Sequence, residues 1–113
     1  WRGLAGGIIA EAADRIGATA AAVGPGIGPC CFEVGPEVFE AFSSHGDAVR
    51  QGNNLDLWQV AANELERAGV EAIEVAEVCT YCDEKRFFSH RRDRGVTGRQ
   101  AGIAWPVGGA GGD

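Results

Sequence analysis

Leu4, Ile8, Ile9, Ala12, Ala13 and Ile16 recur at the three- and four-residue spacing that lines one face of a helix, and Gly17 follows as a stop. The pattern therefore predicts an amphipathic helix over residues 3–16. Gly6 and Gly7 each weaken it by about 1 kcal/mol relative to alanine, and their bare backbone suits either close packing or close approach of a substrate. The apolar run Ala20–Val23 predicts a short buried strand that delivers the stiff Gly/Pro loop 24–29. Pro36 fits the first turn of a short helix with Val38, Phe39 and Phe42 along one side. Residues 43–54 are polar and turn-rich, which predicts a surface excursion with His45 exposed in it. Asn53 or Asn54 is placed to cap the next helix, whose Leu57, Trp58, Ala61, Ala62 and Leu65 form a core stripe before Gly69 ends it.

Residues 70–78 alternate apolar and acidic positions as a half-buried strand does, a turn follows at 83–86, and residues 100–105 read as a final strand stopped by Pro106. Strands and helices alternate, so the expected fold class is α/β (mixed α+β), a mixed β-sheet packed with helices. Residues 1–106 form the expected domain and residues 107–113 a flexible glycine-rich tail with too little side chain to pack.

The net charge of −6 is unevenly laid out. Residues 1–84 carry four Lys/Arg against fourteen Asp/Glu, whereas residues 85–99 carry six Lys/Arg against the single acid Asp93. So confined a cationic patch suits a small anion and argues against nucleic acid, whose phosphate backbone demands a broad positive footprint. No apolar run approaches the length of a membrane span, and the start lacks the pattern of a signal peptide, so the expected compartment is the cytoplasm with reduced thiols. The chain contains no methionine, which reads as a fragment or a processed piece.

Cys30, Cys31, Cys79 and Cys82 are too few and too closely spaced for a secreted disulfide framework. A four-thiolate zinc site draws on two spaced knuckles, and an adjacent cysteine pair does not obviously supply one, so these cysteines are expected to serve as small apolar residues. A redox role for Cys79-Thr80-Tyr81-Cys82 calls for a helix N-terminus, whereas here a turn and a basic loop follow. The loop 24–31 lacks the Lys-Ser/Thr ending of a phosphate-binding P-loop.

Residues 87–93, FFSHRRD, concentrate the candidate chemistry. If the segment is extended, Phe87, Ser89 and Arg91 share one face and Phe88, His90 and Arg92 the other, each combining an aromatic anchor with a polar or cationic group. Arginine's planar fork matches phosphate. A solvated charged hairpin, with Asp93 paired to a neighbouring arginine, is the plainer alternative.

The wording of residues 79–105 resembles the C-terminal signature of the YfiH-type laccase-domain family, metal-dependent enzymes regarded chiefly as purine nucleoside phosphorylases. GPGIGPCCFEVG at 24–35 resembles that family's central loop, and Trp1-Arg2-Gly3 resembles the end of its His-Ala-Gly-Trp-Arg-Gly motif. With LDLW at 55–58 and AGV at 68–70, the likeness runs in order from Trp1 to Trp105. It implies the C-terminal half of a larger single-domain fold, about twice this length. It also implies phosphorolysis of adenosine, inosine and methylthioadenosine, together with adenosine deamination, so that the partners are a purine nucleoside and phosphate. Arg2, Arg91 and Arg92 become candidate anion ligands, and Cys31, Tyr81 and Phe88 candidate pocket walls. The family's zinc is held by two histidines and one cysteine that fall upstream of residue 1, which leaves no metal ligand in this chain. The older laccase label implies copper oxidation of phenols, for which the chain offers no His-Cys-His cluster. A different class of reading is a catalytically silent fragment or interaction module, with self-association through exposed sheet surface.

Overall fold

The computed structural model describes residues 1–104. The run expected as one helix is two, α1 (Arg2–Ala5) and α2 (Ile8–Ile16). The break falls at Gly6–Gly7, where Gly7 adopts a left-handed φ of 87° that an L side chain rarely tolerates. Gly17, also left-handed, ends α2 as its position predicts. Strand β1 (Ala20–Val23) follows, then the loop to α3 (Pro36–Ala41), which has proline in its first turn. A 3-10 helix (Ser43–Val49) leads into a hairpin of β2 (Arg50–Gln51) and β3 (Asn54–Leu55). Helix α4 (Leu57–Arg67) and strand β4 (Ala72–Val75) complete the regular elements.

β1 and β4 pair in parallel, with Ala20 opposite Ala72 and Val23 opposite Val75, and α4 packs on both strands and against α2. Each strand turns alternate residues inward, so β1 is half-buried where a fully buried strand was expected. The strand predicted over 70–78 is regular only at 72–75, and Glu77 has a positive φ of 54°. A single parallel bridge between Gly26 and Cys79 nevertheless carries the pairing beyond the strand ends. It is held by Gly26 N–H to the Val78 carbonyl and Thr80 N–H to the Gly26 carbonyl, both at 3.1 Å.

The core gathers Phe32, Val38, Phe42, Val49, Leu55 and Val60, with Trp1, Leu4, Ile27 and Leu57 packed around it. Val49 and His45 overturn the expected surface excursion over 43–54, and Leu55 follows it into the core. Val49 is 2% exposed and Leu55 is fully buried, because the hairpin folds back and Leu55 N–H binds the Phe32 carbonyl at 2.9 Å. His45 is buried rather than exposed: its ring lies 6.1 Å from Phe42, its Nδ1 is 3.2 Å from Asn63 Nδ2, and its Nε2 is 3.2 Å from Glu64 Oε2. Asp56, not Asn53 or Asn54, caps α4 by accepting the Gln59 N–H at 3.0 Å, a contact worth about 1 kcal/mol. Asn54 instead donates to the Pro29 carbonyl at 2.6 Å and steadies the Gly/Pro loop. The inward face of α4 centres on Val60 and Ala61, with Trp58, Ala62 and Leu65 only half-buried. Gly69, with φ of 87°, follows the helix as expected.

The turn expected at 83–86 is present, closed by Arg86 N–H to Asp83 Oδ1 at 3.2 Å. The final strand is not formed over residues 100–104, which are exposed and irregular; Trp105 and the 107–113 tail lie outside the described residues. The radius of gyration is 15.3 Å, against about 13 Å for a compact chain of this length, and the shortest dimension is 19 Å. The architecture is therefore a mixed α/β slab. No helix among the described residues is long and apolar enough to cross a membrane.

Candidate functional site

Beyond β4 the chain runs from Cys79 to Gln100 without a regular strand or helix, so side chains hold it in place. Arg92 is the main fastener. Its Nε donates to Asp93 Oδ1, its Nη1 to the carbonyls of Thr80 and Tyr81, and its Nη2 to the Phe87 carbonyl and Asp93 Oδ2, all at 2.9–3.1 Å. All five guanidinium N–H donors thus have protein acceptors. The Arg92 guanidinium holds the Asp93 carboxyl below the usual carboxylate range, against the opposing effect of burial, and the Thr97 hydroxyl donates to the same carboxylate at 3.2 Å. Gln100 clamps Phe88 from the other end, accepting its N–H at 3.0 Å and donating to its carbonyl at 3.1 Å. A Cβ at Gly98 would stand 2.9 Å from the Phe88 ring, so glycine there lets the ring approach the backbone closely.

These restraints shape a cleft of about 380 Å³. Ile27, Phe32 and Phe88 give it apolar walls, and Thr80, Arg91 and Arg99 give it polar ones. Arg91 lies 4.7 Å from the Phe32 ring centroid and donates through Nη1 to the Glu33 carbonyl, its one protein acceptor among the described residues. The cationic edge of the cleft is therefore held over an aromatic ring while most of its donors face outward.

Of the six residues singled out from the sequence, Phe88 and Arg91 line this cleft. The faces expected for an extended segment do not form, because residues 90–95 are a succession of turns, and Arg92 points to the other side, into a second hollow with Asp93. Tyr81 is half-buried and contributes its carbonyl to Arg92. Arg2 lies over the Trp1 ring at 4.9 Å and does not line the cleft. Cys31 belongs to a separate cluster. Thr80, Thr97, Arg99 and Gln100 were not singled out, since polar residues in an irregular segment carry no periodic signal.

That cluster is the second feature. Gly28 to Phe32 forms a tight turn, with the Cys31 and Phe32 N–H groups both bound to the Gly28 carbonyl. The Cys79–Asp83 turn, closed by Asp83 N–H to the Cys79 carbonyl, faces it across the 26–79 bridge. Cys31 Sγ lies 3.4 Å from both Cys30 Sγ and Cys82 Sγ, Cys30 Sγ lies 3.6 Å from Cys82 Sγ, and all four sulfurs fall within 4.8 Å of one another. An adjacent pair is not the spaced knuckle expected of such a site, and in extended backbone neighbours would point to opposite faces, but the Gly28–Phe32 turn brings Cys30 and Cys31 to one side. Only Cys79 is buried, so four small apolar core residues is not what these cysteines form. Burial pushes the Cys79 thiol up, but N–H groups of Gly28, Cys82 and Tyr81 outweigh it and leave the pKa at about 7. Burial and the neighbouring thiols push Cys31 well above the usual thiol range.

Comparison with known proteins matches residues 1–106 to the family described as multi-copper polyphenol oxidoreductase laccase. Purine nucleoside phosphorylase YfiH of Escherichia coli (strain K12) is 40% identical over 95% of this chain and 48% of its own length, as is the protein of the same name from Shigella flexneri. A crystal structure of Neisseria meningitidis protein NMB0706 is similar with a TM-score of 0.76 and 34% identity, over 87% of this chain and 45% of that one. The chain spans about half the length of the curated relatives it matches. From the sequence motifs, the matched span and the shared fold, this chain belongs to the multi-copper polyphenol oxidoreductase laccase family, whose matched members include proteins named purine nucleoside phosphorylase.

Proposed function

We propose that this chain supplies one wall of the substrate cleft of a purine nucleoside phosphorylase. The observation that carries the reading is the pairing, in one cleft, of the Phe88 and Phe32 rings with the outward-facing Arg91 guanidinium. A purine nucleoside presents a flat apolar base beside a polar sugar, and its co-substrate is an oxyanion. In phosphorolysis a phosphate oxygen forms a bond to the anomeric carbon as the bond from that carbon to the base nitrogen breaks, releasing free base and ribose 1-phosphate. Arg91, with Arg99 nearby on the lining, orients phosphate and offsets its charge. Phe88 stacks against the base, and Gln100 and Gly98 hold that ring in place. Arg92, whose donors are all engaged, takes no part in anion binding, and Arg2, laid over Trp1, lies outside this cleft.

The family resemblance implies a zinc, and the family description a copper, so the donors present bear on both. His45 has protein partners at both ring nitrogens, His90 is exposed, and the cluster with metal-ligand spacing among the described residues is all cysteine. That set does not fit a mixed histidine and cysteine copper site, nor the two-histidine, one-cysteine zinc, and no step is assigned to either metal. The polyphenol oxidase reading ranks lower because the aromatic and cationic cleft suits a flat base and an anion.

The interaction-module reading has two observations in its favour. Ile8 and Ile16 on α2 are 55% and 77% exposed, and β1 and β4 each have one strand partner among the described residues. Such surface suits a further part of the protein or self-association. A complementation assay separates the readings. The chain is mixed with the N-terminal half of the Escherichia coli relative and given inosine, adenosine or methylthioadenosine with and without phosphate. Phosphate-dependent release of free base from a co-purifying mixture is the expected result, and inosine appearing from adenosine would report deamination. A co-purifying mixture that releases no base in response to phosphate would leave the interaction module as the better account.

A further inference from the structure

We infer that Cys30, Cys31, Cys79 and Cys82 together bind one zinc ion as a closed four-thiolate structural site, which ties the loop after β1 to the loop after β4. The geometry argues first. Zinc holds four sulfurs tetrahedrally at about 2.3 Å, which sets sulfurs about 3.8 Å apart. Here three of the sulfur pairs are 3.4–3.6 Å apart and all four sulfurs lie within 4.8 Å, so small rotations about the side-chain bonds complete the tetrahedron.

The backbone argues second. The ligands arrive as two pairs from two tight turns, and the hydrogen bonds of the Gly26–Cys79 bridge fix one turn against the other before any ion arrives. The Gly28 N–H donates to Cys79 Sγ at 3.2 Å, the kind of supporting contact that orients a metal-bound thiolate. Four thiolates around one zinc carry a net charge of −2. The Arg92 guanidinium binds the carbonyls of Thr80 and Tyr81, the two residues between Cys79 and Cys82, and so steadies the second turn.

The chemistry argues third. Four soft sulfur donors in tetrahedral reach select zinc over the hard cations, and four protein ligands leave no open position for water or substrate. The site is therefore structural. Each thiol gives its proton to solvent as its sulfur coordinates. Ile27 and Phe32 flank the first cysteine turn and Thr80 lies within the second, and all three line the cleft. The ion would brace the cleft wall from behind.

The test is titration of the purified 113-residue chain, reduced and metal-free, with Co²⁺ alone and then Zn²⁺. The expected result is one equivalent bound, with thiolate-to-cobalt charge-transfer absorption and the visible bands of a tetrahedral four-sulfur centre, displaced by one equivalent of Zn²⁺. Cys82→Ser and Cys31→Ser are each expected to weaken binding by at least about 100-fold. If a serine variant does not fold, the parent's spectrum still decides, because its bands report the number of sulfur ligands directly. Binding without thiolate bands, binding unchanged in both variants, or a Cys82 disulfide to Cys30 or Cys31 that persists under reductant would each overturn the assignment. So would iron in place of zinc in the chain as isolated.

Discussion

Arg92→Ala is expected to loosen residues 80–97 as a unit and to lower base release by the complemented enzyme on the order of 100-fold, although Arg92 does not face the cleft. The side chain satisfies three backbone carbonyls and a carboxylate from within an irregular segment, and no ladder or helix takes over when it is removed. A displacement of about 1 Å in positioning groups is enough for a loss of that size. Amide hydrogen exchange over residues 80–97 should accelerate in the variant and stay unchanged in Arg91→Ala. Lysine at 92 should not rescue, because an ammonium lacks the planar fork that meets four acceptor residues at once. Acid should act on the same fastener. Asp93 has its folded pKa below the unfolded value of about 3.9, so its contribution is complete above that pH and is lost as pH falls through the folded value. Protection of this segment that persisted in Arg92→Ala would show that something other than the guanidinium organises it.

Phe42→Ala carries the largest expected loss of stability, about 3–5 kcal/mol. Phe42 is 2% exposed and lies at the centre of the core, with Trp1 edge-on at 6.4 Å and His45 at 6.1 Å. Its removal opens a cavity between α1, the 3-10 helix and the hairpin, and uncovers the His45 ring that Asn63 and Glu64 hold from the far side. Domains of this size are stable by about 5–15 kcal/mol, so the variant loses a large share of its stability and its urea midpoint should fall by on the order of 2 M. A midpoint close to the parent's would show that the core is centred elsewhere.

How far the sequence discloses this molecule depends on the range of the interactions involved. Gly17, Pro36 and Gly69 mark helix ends by local backbone chemistry, and the structure places them there. The motif order from Trp1 to Trp105 also carries the family, because it needs no three-dimensional knowledge. Gly7 was visible as a weakness, but not as a break, since its effect depends on the left-handed φ that the following helix imposes. Val49 and His45 lie in the core and not on the expected surface because isolated positions in a 3-10 helix follow neither the helical nor the strand period.

The site shows the same division. Phe88, Arg91 and Arg92 stand together in one aromatic and cationic segment of the sequence, whereas the separation of Arg92 from the other two arises from the turns at 90–95. The meeting of Cys30 and Cys31 with Cys79 and Cys82 is suggested by their number and set aside for the adjacent pair, whose convergence local sequence does not disclose. It arises from one parallel bridge between residues 53 positions apart, together with a turn that brings neighbouring side chains to one side.

The central claim is that Arg91 holds phosphate in a cleft whose aromatic walls take the base. Steady-state kinetics of Arg91→Ala in the complemented enzyme, with phosphate and inosine varied separately, addresses it most directly. Losing a charge-assisted contact to an anion should raise KM for phosphate about 10- to 100-fold and leave KM for inosine within about twofold. Equal changes in the two constants, or an unaltered dependence on phosphate, would contradict the assignment.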